Sequence, residues 1–285
     1  MHRMRQAVAV RMAGRRRGEL MQSNKEDVRE FYNEFMSKRM VNYRLNGNLR
    51  VESAANFFAS HICEDDMVVD VGCGIGIASE VLAKKARSGT VIGIDISDKN
   101  IWYANKTVRL PNVEFHALDI IHHADSLRAL LKGKAVDAFT LGDVLEHISD
   151  DERALLFRSM AALGSPAVKV LITIPSEFYQ RYLMAEQPDE LQIIDNIITP
   201  SLLEQEGRRA GFALTYFRVI AMWKPAQYVH CVLEREIYLV KKMKTSVPTA
   251  RTNALLQFSQ HVVKKLLVHP RRYKKYVTEV FDKRE

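Results

Sequence analysis

The alternation of strand-like and helix-like segments constrains the fold of this chain more than any other feature of its sequence. From residue 67 to residue 174, short apolar runs are each followed by a segment with helical periodicity. Parallel strands need such crossovers, and the crossover helices cover both faces of the sheet. The predicted strands are residues 67–71, 90–96, 113–120, 136–141 and 168–174.

The alternation ends after Pro175. Residues 176–199 are too long for a simple connection and mix aromatic, acidic and apolar residues, which is typical of a functional insertion. Residues 200–210 follow as a predicted helix. Residues 212–220 and 228–236 are strand-like and closely spaced, so we expect them to pair antiparallel. The predicted fold class is α/β, with a doubly wound, mostly parallel seven-stranded sheet whose last strand is antiparallel.

A glycine-rich loop follows the first predicted strand directly. It reads DVGCGIG from residue 70 to residue 76, and its candidate ligand-binding residues are Asp70, Gly72, Cys73, Gly74 and Gly76. Glycines at a strand-to-helix turn let the backbone approach a ligand closely, and the helix that follows offers N–H groups to an anion. The dinucleotide fingerprint G-x-G-x-x-G would require glycine at Ile77, so the spacing argues against a nicotinamide cofactor.

This loop resembles the first motif of the class I S-adenosylmethionine-dependent methyltransferases, and two acidic positions follow in that family's order. Asp95, followed by Ile96, matches the carboxylate that binds the ribose hydroxyls; a carboxylate can accept from two hydroxyls at once. Asp119, followed by Ile120, matches the carboxylate that accepts from the adenine amino group. Asp95 could instead cap the next helix, a role that Asp98 could also take. The resemblance implies S-adenosyl-L-methionine as the cofactor.

The resemblance continues through residues 139–148, which read FTLGDVLEHI and look like the fourth-strand motif of the same family. That motif lies beside the methionine part of the cofactor, so Gly142 and Asp143 are implied contacts. The segment is most similar to enzymes that act on quinones, sugars and secondary metabolites. Across residues 65–150, the resemblance therefore implies a Rossmann-like fold and a small-molecule acceptor, methylated on a hydroxyl oxygen.

His147 is the candidate general base. It follows the fourth predicted strand, close to where the reacting methyl group is expected, and histidine is well suited to remove a proton near neutral pH. Glu146 would orient His147 or substitute for it. The alternative is that residues 145–148 form a structural turn that caps the next helix.

The acceptor pocket is predicted from two segments. Tyr43 lies in a polar stretch of the N-terminal segment, which folds over the cofactor as a lid in related enzymes, whereas Tyr32 fits ordinary core packing. The insertion at residues 176–199 follows the fifth strand, at the sheet edge where ligands bind in open α/β folds. The candidate acceptor contacts are Tyr43, Tyr179, Tyr182 and Asp195, with Asn196, Trp223, Tyr228 and His230 as further candidates. Each of the residues from the insertion could instead be a packing residue of a small cap.

Basic residues are concentrated at the two ends of the chain. Residues 1–22 hold six arginines and one glutamate, and residues 241–285 hold twelve Lys or Arg and three acids. The part between them holds 24 basic and 30 acidic residues. Because a nucleic-acid enzyme usually carries positive charge on the domain that holds its active site, no clear nucleic-acid partner is predicted.

The chain divides into four predicted parts. These are a disordered basic tail (1–22), N-terminal lid helices (23–64), a methyltransferase domain (65–240) with a substrate-cap insertion (176–199), and a basic helical tail (241–285). Its three cysteines are far apart and form no disulfide framework or zinc pattern, and no metal site is expected. No apolar run approaches the roughly 18 residues that cross a bilayer, so the predicted location is the cytoplasm.

Two other functions stay open from the sequence. The basic C-terminal helix could dock an RNA or protein substrate, or contact a membrane surface or another anionic partner. The chain could also be a non-catalytic module that binds the cofactor for regulation, although the intact glycines and acids argue against this.

Overall fold

The computed structural model describes residues 37–191 and 194–245. The predicted N-terminal tail, Tyr32 and all of the predicted basic tail beyond residue 245 lie outside the described residues. The chain through Tyr238 belongs to one compact unit, and a second unit begins at Leu239. The helix Glu236–Thr245 therefore spans the predicted domain boundary at residue 240.

Seven strands form one sheet in the order β3-β2-β1-β4-β5-β7-β6. All neighbouring pairs from β3 to β5 are parallel, whereas β7 pairs antiparallel with both β5 and β6. The predicted fold class and its antiparallel last strand are confirmed. The strands are β1 (Met67–Val71), β2 (Thr90–Asp95), β3 (Val113–Ala117), β4 (Val136–Gly142), β5 (Gly164–Pro175), β6 (Phe212–Ile220) and β7 (Tyr228–Arg235).

The described helices alternate with these strands. They are α1 (Ser37–Asn46), α2 (Leu49–Ala59), α3 (Ile77–Lys85), α4 (Asp98–Thr107), α5 (Ala124–Leu130), α6 (Asp150–Leu163), α7 (Glu177–Glu186), α8 (Pro200–Arg209) and α9 (Glu236–Thr245). None of them is both long and apolar enough to cross a membrane.

The central strand β1 is buried at all five positions, because helices cover both of its faces. Successive side chains of a strand point to opposite faces. Val68 accordingly belongs to the core formed with Phe58 of α2 and Leu82 of α3, whereas Val69 belongs to the larger core that includes Phe157 of α6.

The insertion at residues 176–199 is more regular than the sequence predicts. Ser176 caps α7, its hydroxyl accepting from the N–H of Tyr179 at 3.1 Å. Gln180 and Leu183, one helical turn apart, are buried against the rest of the domain. The single buried turn is too short to give a clear helical period in the sequence, so tertiary packing decides the helix.

A buried ion pair joins α6 to α8. The Arg153 side chain is fully buried, and its Nε donates to both carboxylate oxygens of Glu206 at 3.2 and 3.1 Å. The same guanidinium donates from Nη1 to the carbonyl oxygen of Ile148 at 2.7 Å. It therefore holds the end of the turn that carries His147.

Removal of Glu206 would leave the buried Arg153 guanidinium with only the exposed carboxylate of Asp150 as an ionic partner among the described residues. We expect Glu206→Ala to lower the free energy of unfolding by about 3 kcal/mol. Glu204→Ala is the matched control, because Glu204 pairs with Arg208 on the exposed face of the same helix and should cost less than about 1 kcal/mol. Urea unfolding of the two variants measures both effects, and equal losses would contradict the importance assigned to the buried pair.

Candidate active site

The glycine loop takes a backbone conformation that ordinary residues avoid. Gly72, Gly74 and Gly76 have φ values of 68°, 55° and 77°, in the left-handed region. A Cβ on Gly72 would lie 2.5 Å from Cγ2 of Val144, so the loop and the segment after β4 pack too closely for a side chain there.

Two buried carboxylates hold this loop in place. Asp95 accepts from the N–H of Gly74 at 2.9 Å through Oδ2 and from the N–H of Ser97 at 2.8 Å through Oδ1. Asp70 accepts from the hydroxyls of Ser79 at 2.5 Å and Thr140 at 2.7 Å, and its burial raises its pKa to about 6. The cap of α4 is the hydroxyl of Ser97 and neither Asp95 nor Asp98.

One cavity of about 220 Å³ opens where the strand order changes direction, between the carboxyl ends of β1 and β4. In open α/β sheets this is the position at which ligands bind. The candidate site residues that line it are Tyr43, Asp70, Gly72, Cys73, Gly74, Asp95, Gly142, Asp143, Glu146, His147, Tyr179 and Asp195.

Five candidate residues do not line the cavity: Gly76, Ile96, Asp119, Ile120 and Tyr182. Asp119 contacts its own loop, accepting from the N–H of Ile121 at 2.9 Å and lying 2.9 Å from Nδ1 of His122. The assignment of Asp119 to the adenine amino group stays a prediction.

The four further acceptor candidates lie in different parts of the structure. Tyr228 lines the cavity, whereas His230 stacks on Phe57 with 4.5 Å between ring centres. Asn196 donates to the carbonyl oxygen of Ile148 at 2.9 Å, and Trp223 is exposed.

Arg50 is a cavity residue to which the sequence assigns no role. Its guanidinium forms an ion pair with Asp143. It also lies 6.0 Å from the ring centre of Tyr43 and 5.9 Å from that of Tyr228. Cation–π attraction at these distances draws α1, α2 and β7 together around one charge. Asp143 and Tyr228 are far from Arg50 in the chain, so no local pattern reveals these two contacts.

His147 is held in one orientation at the cavity wall. Its Nδ1 lies 2.6 Å from the carbonyl oxygen of Ile194 and 3.5 Å from Oδ1 of Asp195. Because a carbonyl oxygen only accepts, Nδ1 carries the proton and Nε2 carries the lone pair. Burial lowers the pKa of His147, which keeps the ring neutral near pH 7. The cap of the next helix is Ser149, so capping does not explain His147.

Glu146 lies beside His147, with 3.8 Å between its Oε1 and Nε2 of the imidazole. The residue is only 1% exposed. Burial is the main cause that raises its pKa to about 8, and the nearby Asp195 adds to the rise. Near neutral pH the Glu146 carboxyl is therefore largely protonated.

Solved structures of methyltransferases are similar in fold to this chain. Magnesium protoporphyrin IX methyltransferase from Synechocystis, crystallised with bound SAH, is similar with a TM-score of 0.58 and 17% identity, over 74% of this chain and 100% of that chain. A Burkholderia thailandensis 1,6-didemethyltoxoflavin-N1-methyltransferase gives a TM-score of 0.52 and 16% identity, over 73% and 90%.

Sequence comparison leads to the same class. Residues 68–167 match the model of a methyltransferase domain. The ubiquinone biosynthesis O-methyltransferase of Hydrogenovibrio crunogenus is 30% identical over 177 residues, which are 58% of this chain and 68% of that protein. The chain belongs to the S-adenosylmethionine-dependent methyltransferases. The ubiquinone biosynthesis O-methyltransferase of Cupriavidus pinatubonensis is 32% identical to this enzyme over 160 residues. These residues are 53% of this enzyme and 61% of the Cupriavidus protein.

The cavity has the features that S-adenosylmethionine, the methyl donor of this enzyme, requires. Gly72 and Gly74 present bare backbone to it, and Asp95 places a buried carboxylate at the end of β2. Burial, together with Asp95 and Asp70, raises the pKa of the Cys73 thiol well above its usual value, so Cys73 stays protonated as a small packing residue.

Asp95 should be essential for cofactor affinity. In Asp95→Asn, an amide NH₂ replaces one of the two oxygens that accept backbone N–H groups, so we expect S-adenosylmethionine to bind at least about 10-fold more weakly. Calorimetric titration measures this, with Asp98→Asn, at the start of α4 and outside the cavity lining, as control. Equal affinities of the two variants would contradict the role of Asp95.

Glu146 should make stability depend on pH. Its folded pKa of about 8 lies above the unfolded value, which is about 4.3. The buried carboxyl therefore favours the folded state fully below pH about 4 and loses that contribution as the pH rises to about 8. Glu146→Gln has no proton to lose, so its free energy of unfolding should fall less than that of the wild type between pH 5 and pH 9. Urea unfolding across this range tests it, and parallel curves would refute the assignment.

Proposed function

We propose that this enzyme transfers a methyl group from S-adenosylmethionine to a hydroxyl oxygen of a small molecule of the quinone, sugar or secondary-metabolite type. The observation that carries the proposal is the orientation of His147. Its Nδ1–H is held by the carbonyl of Ile194, so Nε2 is the basic atom at the cavity wall. The relatives described as ubiquinone biosynthesis O-methyltransferases support an oxygen acceptor.

In this proposal the cavity has a cofactor half and an acceptor half. The glycine loop and Asp95 hold the cofactor, with the carboxylate on the ribose hydroxyls. Gly142 and Asp143, at the end of β4, lie beside the methionine part. Tyr43 and Tyr179, together with Tyr228, form an aromatic wall for the acceptor.

The charge of the cavity favours a small acceptor over a nucleic acid. Among the described lining residues, Arg50 is the sole Arg or Lys, and it is already paired with Asp143. The carboxyl groups in the lining are those of Asp70, Asp95, Asp143, Glu146, Glu190 and Asp195. A phosphate backbone would meet no free cation here, although cations dominate nucleic-acid affinity.

The chemistry needs alignment and the removal of one proton. S-adenosylmethionine supplies an electrophilic methyl group when it is bound. The cavity walls hold the acceptor hydroxyl in line with it, which contributes much of the acceleration in such displacements. Transfer would form the O–C bond and break the bond between the methyl group and sulfur, leaving S-adenosylhomocysteine. Nε2 of His147 would take the hydroxyl proton, and Asp195, 3.5 Å from Nδ1, would stabilise the imidazolium. Protonated Glu146 adds no negative charge that would compete for the proton.

His147→Gln should lower the rate of methyl transfer by about 100-fold or more, since a positioned general base contributes roughly 10²–10⁴-fold. The affinity for S-adenosylmethionine should stay within about twofold, because its proposed ligands are untouched. His116→Gln, on β3 and outside the cavity, is the control. Full turnover by His147→Gln with intact cofactor binding would remove His147 as the base.

The class of acceptor can be tested directly. We expect tritiated methyl groups from S-adenosylmethionine, incubated with the enzyme and a cell extract, to appear in the low-molecular-weight fraction. The label should be stable to conditions that hydrolyse esters, as an ether is. Label that enters protein or RNA would contradict the proposal and favour docking through residues 241–285.

A further inference from the structure

Several buried polar atoms around the cavity lack a hydrogen-bond partner among the described residues. They are Oδ1 of Asp143, Oε2 of Glu146, Oγ1 of Thr173 and Oε1 of Gln180, and all four residues line the cavity. A buried polar atom without a partner is costly, so a cluster of them around one cavity indicates groups that a ligand or an ordered water completes.

Of the four atoms, the amide oxygen of Gln180 is the most restricted in the hydrogen-bond partner that it can take. Protonated Glu146 and the hydroxyl of Thr173 can each donate as well as accept. Asp143 already pairs with Arg50 through its other oxygen. An amide oxygen can only accept, so its partner must be a donor.

The neighbouring carboxylate fixes the orientation of the Gln180 amide and leaves Oε1 as the end without a partner among the described residues. Nε2 of Gln180 donates to Oδ1 of Asp195 at 3.3 Å. The reversed amide would bring its oxygen against a carboxylate oxygen, which is repulsive. Gln180 is 1% exposed on α7, so packing holds this arrangement. The same Asp195 oxygen lies 3.5 Å from Nδ1 of His147, which places Gln180 close to the base.

We propose that Gln180 determines which acceptors this enzyme takes, by accepting a hydrogen bond from a second donor group of the acceptor. This second donor is a hydroxyl or an N–H close to the hydroxyl that is methylated. The preferred acceptors therefore carry at least two hydrogen-bond donors, and a compound with one donor leaves Gln180 unpaired. The inference rests on the proposed function, since it assigns the α7 side of the cavity to the acceptor.

A pair of probes that differ in one hydroxyl tests this role in the full-length enzyme. Catechol has a second donor and phenol has none. With S-adenosylhomocysteine bound, we expect the wild type to bind catechol about 10-fold more tightly than phenol, as one buried hydrogen bond allows. In Gln180→Met, of similar size without the amide, catechol should bind about as weakly as phenol. Calorimetry gives all four affinities.

Two controls guard against a merely structural effect. Gln187→Met, at the exposed end of the same helix, should keep the preference of the wild type. Gln180→Asn, which keeps the amide and withdraws it from the cavity, should lose the preference as Gln180→Met does. Unchanged affinity for S-adenosylhomocysteine shows that both Gln180 variants are folded.

The outcomes separate this inference from the proposed function. Failure of the wild type to bind catechol more tightly than phenol, absence of binding of both, or a preference that survives in both Gln180 variants overturns the role of Gln180. In the last case Gln180 holds only an ordered water. Methylation of a hydroxyl probe without dependence on Gln180 would leave the proposed function intact. Gln180-dependent binding without any methyl transfer would support the role and count against hydroxyl methylation.

Discussion

The parallel pairing of β1 with both β2 and β4 is the constraint on which the rest of this structure depends. It brings the carboxyl ends of the three strands to one edge of the sheet, with Asp70 opposite Gly93 on one side and Thr140 on the other. The buried carboxylate of Asp70 then bonds to the hydroxyl of Thr140 and to that of Ser79 at the start of α3. This connection joins the glycine loop to β4 and so aligns the proposed cofactor half of the cavity with the segment that carries His147.

The proposed acceptor half is held by the insertion after β5. The Ile194 carbonyl contacts Nδ1 of His147, 47 residues away in the chain, and the Asp195 carboxylate contacts Gln180 within the insertion. The buried guanidinium of Arg153 supports the turn that carries His147, because it donates to the carbonyl oxygen of Ile148. The insertion after β5 therefore both encloses the cavity and sets the tautomer of the candidate base.

The sequence predicts the position of an element where a local pattern of residues determines it. The seven strands follow from apolar runs, and the glycine loop and Asp95 follow from strand ends that meet at one edge. Asp119 matches a motif position and its carboxylate contacts its own loop, so its role at the adenine amino group stays a prediction. Gln180 was overlooked because an isolated glutamine has no periodicity or spacing that marks it.

Burial periodicity and glycine spacing are local properties of the chain, so they were enough to predict the sheet, the position of the glycine loop and the family. Which polar groups share the cavity depends on tertiary packing. Arg50 meets Asp143 because α2 packs over the end of β4, and Gln180 meets Asp195 because the insertion folds back on itself. The raised pKa of Glu146 has the same origin, since desolvation by the whole fold is its largest cause.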